Sequence, residues 1–141
     1  MQLAVPRGVS NYRRLKTDHY YFVDKSLMIS DFLKEKNAVT LITRPRRFGK
    51  TINMSMMAEF FDITKDSKEL FKDTKIMTTA YVSEMNQYPT IFLSFANAKG
   101  NKINIISSIK QNLIKLYQLN KHLFQDLDEF DMIIYKGIMK A

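Results

Sequence analysis

The sequence predicts an α/β fold with a parallel sheet, and three observations predict it. A continuous apolar run, Ala38 to Thr43, reads as a strand buried on both faces. A basic loop, Arg44 to Gly49, follows it and leads into Gly49-Lys50-Thr51. Apolar residues then recur at helical spacing through Ile52, Met56 and Phe60. Strand, basic glycine-ended loop and helix, in that order, is the arrangement that cradles a chain of phosphates.

Taken from the N-terminus, residues 1–37 form a polar, basic lead-in ending in a helix. A turn is expected at Pro6-Arg7-Gly8, and Tyr20 to Val23 is a short aromatic, β-prone run. Asp24 or Ser26 caps a helix reaching about Lys36, with Leu27, Ile29, Phe32 and Leu33 as its apolar residues. Residues 38–62 hold the strand, the loop and a helix from Lys50 to about Asp62. Pro45 keeps regular helix out of the loop. A polar stretch follows, with a short helix expected near Lys68 to Phe71. Residues 88–119 carry a second strand, Thr90 to Phe95, and a helix whose apolar residues run from Ile103 through Ile106, Ile109, Leu113 and Leu116. Residues 120–141 form a tail that the pattern allows to be helical.

The loop is where the chemistry concentrates. Consecutive backbone N–H groups can converge on phosphate oxygens, and the helix that follows adds the positive end of its dipole. Gly49 permits close approach because it has no Cβ. Lys50 is placed to reach the outer phosphates, and Thr51 offers a hydroxyl to Mg²⁺. Arg46, Arg47 and Phe48 complete the set Arg46 to Thr51 expected to hold a triphosphate, with ATP and Mg²⁺ as the cofactors. The usual pattern begins with Gly, and here Arg44 stands in that place. Either Arg44 accepts a positive φ at modest cost, or the turn starts differently, with Pro45 setting the alternative. The competing reading of the same residues is a basic surface contacting nucleic acid through Arg44, Arg46, Arg47 and Lys50.

Charge and composition limit the alternatives. The 141 residues carry a net charge of +8. Residues 1–50 hold eleven Lys/Arg against four Asp/Glu, a net +7, while residues 51–141 are nearly balanced at +1. The basic field therefore surrounds the loop, and it suits nucleotide and nucleic acid alike. There are no cysteines, and the two histidines, His19 and His122, stand far apart, which excludes a disulfide framework and a Cys/His metal centre. Asp126, Asp128, Glu129 and Asp131 lack the glycine turn of a metal loop and read as a solvated helix end. No apolar run approaches the roughly 18 residues of a membrane span, and no signal-peptide core precedes Pro6, so a cytoplasmic location is expected. Tyr20 to Phe22 could stack on a base, but an ordinary half-buried strand explains them as well.

Three stretches, YYFVDKSLMISDFL, VTLITRPRRFGKTINMSMMAEFF and YPTIFLSF, together resemble the bacterial AAA-ATPase-like family. Members of that family carry this modified phosphate loop, often fused to a C-terminal nuclease-like domain of the PD-(D/E)XK type. The resemblance makes Arg44 a family trait. It implies an incomplete P-loop NTPase-like module with three layers, α/β/α, and it places Tyr21 to Lys25 near the adenine. The family continues to a second apolar strand ending in acidic residues that hold Mg²⁺ and the attacking water. Only Met132 to Tyr135 follows here, without an acidic pair. The expectation is therefore an ATP-binding part of an ATPase domain with no catalytic residues of its own and little hydrolysis. A nucleic-acid-binding module, and a non-catalytic chain that associates with a full-length relative, are the alternatives.

Overall fold

The computed structural model describes residues 4–45, 48–95 and 101–119, together with 133, 136 and 137. The chain divides into two units, Met1–Thr90 and Ile91–Ala141.

The first unit is helical. Helix α1 (Tyr12–Thr17) starts at Asn11, whose side chain accepts the N–H of Arg14. Helix α2 (Leu27–Glu35) begins after Ser26 and ends at Lys36, which turns left-handed (φ 50°). Helix α3 (Lys50–Phe61) is the longest of this unit, and α4 (Lys68–Phe71) is a single turn. Two 3₁₀ turns, Lys75–Thr78 and Ala80–Glu84, follow. The core lies where these elements meet around α3. Tyr12, Ile29, Met56, Phe60, Phe71 and Ile76 are fully buried. Phe71 stacks between Tyr12 and Phe60, with ring centroids 5.1 and 5.4 Å away. Such pairs add to the area-based gain of burying large rings.

Polar contacts fix how α1 sits on α3. The N–H of Tyr12 donates to Ser55 Oγ at 3.1 Å. Glu59, buried on α3, accepts Arg13 at 2.7 Å and Lys65 at 3.0 Å. Asn86 closes the other end of α3: its amide donates to the carbonyls of Glu59 and Asp62, and its backbone N–H to Phe60.

The expected parallel sheet is not there. Among the described residues no β-strand forms, and the only ladder contact is an isolated parallel bridge between Asp62 and Tyr88. Residues 38–43 enter no strand or ladder, and Val39 is 85% and Leu41 83% exposed. Residues 90–95 are likewise outside any strand. The α/β, three-layer P-loop NTPase-like expectation is therefore corrected to a helical architecture. The physical reason is that an apolar run states a preference for burial, whereas a strand exists only through hydrogen bonds to a neighbour. Those partners are remote in sequence and leave no local signature.

In the second unit, α5 (Lys102–Leu119) follows the extended residues 91–95. Asn112 Nδ2 donates to the carbonyl of Ser94 at 3.4 Å. The helical tail expected after residue 119 lies outside the described residues, as do Asp126, Asp128, Glu129 and Asp131, apart from the helical assignments at 133, 136 and 137. No helix among the described residues is long and apolar enough to cross a membrane.

Candidate functional site

Helix α3 begins on a glycine because the backbone there demands one. Gly49 is the N-cap, with φ 75° and ψ 20°, a left-handed conformation that side chains disfavour. A Cβ added at Gly49 would come within 3.3 Å of Ile52 Cγ2. The glycine thus delivers a free helix N-terminus, whose unpaired N–H groups and dipole attract anions. Lys50 and Thr51, the first residues of the helix, are both exposed. The Lys50 ammonium donates to the carbonyl of Arg44, so its charge folds back across the loop. Arg44 is not among the non-glycine residues with positive φ, which are His19, Lys36 and Asn86. The turn therefore starts in an ordinary conformation and needs no glycine at position 44. Phe48 is exposed; Arg46 and Arg47 lie outside the described residues.

Two cavities meet at this helix end. One, about 870 Å³, is a groove between α2 and α3 roofed by residues 40–44, with Asp31, Phe32, Lys50 and Met57 on its walls. The other, about 1190 Å³, contains Gly49, Lys50 and Thr51 and is walled by Arg7, Tyr21 and Lys25. Both volumes reach or exceed the upper part of the range of small-molecule sites. Of the segment Tyr21 to Lys25, Tyr21, Phe22, Val23 and Lys25 border the second cavity. Among the described residues that cavity has cationic but no carboxylate side chains on its walls.

The aromatic wall is held from behind. Asp24 accepts the N–H of Ser26 and the N–H of Lys75, each at 2.8 Å. Ser26 Oγ accepts the N–H of Ile76 at 3.0 Å. Partial burial alone would raise the Asp24 carboxyl. The backbone donors at Lys75 and Ser26, the Ser26 side chain and the Lys75 charge outweigh it and hold the group below the usual carboxylate range. Tyr12, beneath this wall, is pushed upward by burial and by the nearby Asp24 charge, and stays neutral.

Sequence reasoning overlooked Asn53. It lies one turn into α3 from Lys50, is 9% exposed, and borders both cavities. Its Oδ1 is buried without a hydrogen-bond partner. The available signal was a polar residue at i+3 from Lys50 among Ile52, Met56 and Met57. The bonds of Asp24 to Ser26 and Lys75, and the position of Arg7 beside the loop, have no signature in the sequence. Among the described residues no group of three or more His, Asp or Glu is arranged to hold a metal ion.

The candidate site is thus a glycine-capped helix N-terminus led by lysine and threonine, beside a basic cavity. The family model described as Predicted AAA-ATPase matches residues 6–136, and the chain belongs to this AAA-ATPase-like family. No curated protein and no solved structure matches the chain.

Proposed function

We propose that the chain binds a nucleoside triphosphate, ATP foremost, together with Mg²⁺ at the N-terminus of α3. The observation that carries this is Gly49 in its left-handed conformation, presenting the N–H groups of α3 and the Lys50 ammonium to a cavity without carboxylates. Arg7, Lys25 and Lys50 supply positive charge around it. Arg46 to Phe48 are assigned to the same phosphate bed from the motif, and Thr51 to Mg²⁺. Bound Mg²⁺ would neutralise phosphate charge. Membership of an ATPase-like family supports nucleotide use in general terms.

Binding and turnover separate in this reading. Hydrolysis requires a carboxylate to orient water and metal in addition to charge stabilisation. Among the described residues none borders the cavity beside Thr51, Asp31 and Glu35 lining the neighbouring cavity instead, and the sequence given contains no apolar strand ending in an acidic pair. The chain is proposed to hold ATP with little hydrolysis. Phosphate release should stay at background with Mg²⁺-ATP; release well above it and abolished by Lys50→Ala would refute this half of the proposal. Binding itself is tested by titrating a fluorescent ATP analogue. Affinity should require Mg²⁺ and fall in Lys50→Ala. A nucleic-acid surface would respond differently, with a steep salt slope and graded losses as single arginines are removed.

A further inference from the structure

Asn53 is an expensive residue for the place it occupies. A buried carbonyl oxygen without a donor destabilises the fold, and an apolar side chain of similar size at the same point would not. The residue nevertheless stands one helical turn into α3 from Lys50, where its side chain borders both cavities. Lys50 and Asn53 are three residues apart, hence on one face of α3 and separated by roughly 4.5 Å along its axis.

The surroundings specify what would satisfy this oxygen. The cavity beside Thr51 is rich in donors: the cationic side chains of Arg7, Lys25 and Lys50, and the free N–H groups of the helix. Those suit the acceptors of a ligand, which for a nucleotide are phosphate oxygens. A donor on the ligand finds few acceptors there. Hydroxyls such as Thr51 can serve, but Asn53 contributes the only side-chain carbonyl on these walls. Moving along a nucleotide away from its phosphates, the first donors met are the hydroxyls of the ribose. An acceptor on the wall of this cavity is matched to them in type.

We propose that Asn53 is a sugar-reading residue, accepting a hydrogen bond from a ribose hydroxyl of the bound nucleotide. This rests on the nucleotide-binding reading and adds a specificity to it: ribonucleotides are selected over analogues lacking the hydroxyls. A site that pairs a ligand hydroxyl with a buried group penalises the analogue that leaves it unpaired.

The test compares ATP with 2′,3′-dideoxy-ATP by calorimetry on the whole chain, in the wild type, Asn53→Leu and Lys50→Ala. The wild type should bind ATP at least ~5-fold more tightly than the dideoxy analogue. In Asn53→Leu that ratio should fall to about one while the melting temperature holds or rises, since an unpaired acceptor has been removed. Equal affinities in the wild type, with both lost in Lys50→Ala, would overturn the assignment and leave the nucleotide site standing. A ratio unchanged in Asn53→Leu would overturn it too. If Asn53→Leu does not fold, Asn53→Ala takes its place under the same criterion, with Asn53→Asp expected to retain the preference because it keeps an acceptor. Failure of the wild type to bind either compound would overturn the nucleotide reading and this inference with it.

Discussion

Gly49 and Lys50 divide the work of the loop between geometry and charge. The glycine allows the chain to enter α3 at φ 75°, and the lysine brings an ammonium that is hydrogen-bonded only to the Arg44 carbonyl rather than neutralised by a carboxylate. A phosphate can replace a neutral carbonyl as its partner with a gain in Coulomb energy. Gly49→Ala should therefore cost stability as well as binding. The left-handed conformation alone is worth about 1 kcal/mol against a residue with a Cβ, and the Ile52 contact at 3.3 Å adds to it. Urea denaturation should show a loss of at least that size; an unchanged midpoint would mean that the loop starts elsewhere. Arg44 illustrates how much of this was readable. Its place in the motif marked the family, and of the two starts the sequence left open, its ordinary φ fits the one set by Pro45.

At the scale of elements, α3 is organised by what packs on it. Glu59 is 6% exposed at its side chain and faces two cations, Arg13 from α1 and Lys65. Glu59→Ala should cost more than Arg13→Ala, because it removes the carboxylate both cations share, leaving Arg13 the Asp66 carbonyl and Lys65 the Asp62 carboxylate. A loss of about 1–2 kcal/mol for Glu59→Ala is expected, smaller than for a fully buried pair because Arg13 is solvated. Equal losses in the two variants would contradict the shared role of Glu59. Asp24 makes a prediction in pH. Its carboxyl titrates lower in the folded state than in the unfolded chain. Its contribution is thus fully present above the unfolded value of about 4 and disappears as pH falls through the folded value. Asp24→Asn should be less stable than wild type at pH 7, and the difference in denaturation midpoints should close under acid; a gap that persists at low pH would exclude this linkage.

The same elements explain what could be read from the chain. Helix α3 was legible because its start signal, Gly49-Lys50, and its apolar spacing are local. The short helix Lys68–Phe71 and the helix now α5 were legible for the same reason. Helix α1 was missed. Its six residues are stabilised by Ser55 and Glu59, more than 40 positions away, and only the Asn11 cap is local. The two expected strands failed in the opposite sense: Val39, Leu41, Ile91 and Phe92 are β-prone residues, but pairing is a property of two segments, and neither run acquires a ladder.

At the scale of the molecule, the first unit gathers the basic loop, the aromatic wall and a compact core, while Val39 and Leu41 project into solvent nearby. Adjacent exposed apolar residues promote association. Light scattering should register concentration-dependent growth of the particle that Leu41→Lys reduces, and a strictly monomeric wild type at high concentration would count against it. The match to the AAA-ATPase-like family extends over residues 6–136 and so includes both units, and the candidate site described above lies in the first. The central claim is that the N-terminus of α3 holds a nucleotide through Lys50. Calorimetric titration of the wild type and Lys50→Ala with ATP, with and without Mg²⁺, measures it most directly. The account predicts saturable, Mg²⁺-dependent binding weakened by at least about tenfold in Lys50→Ala, as expected for loss of a charge-assisted contact; affinity that is indifferent to that substitution would contradict it.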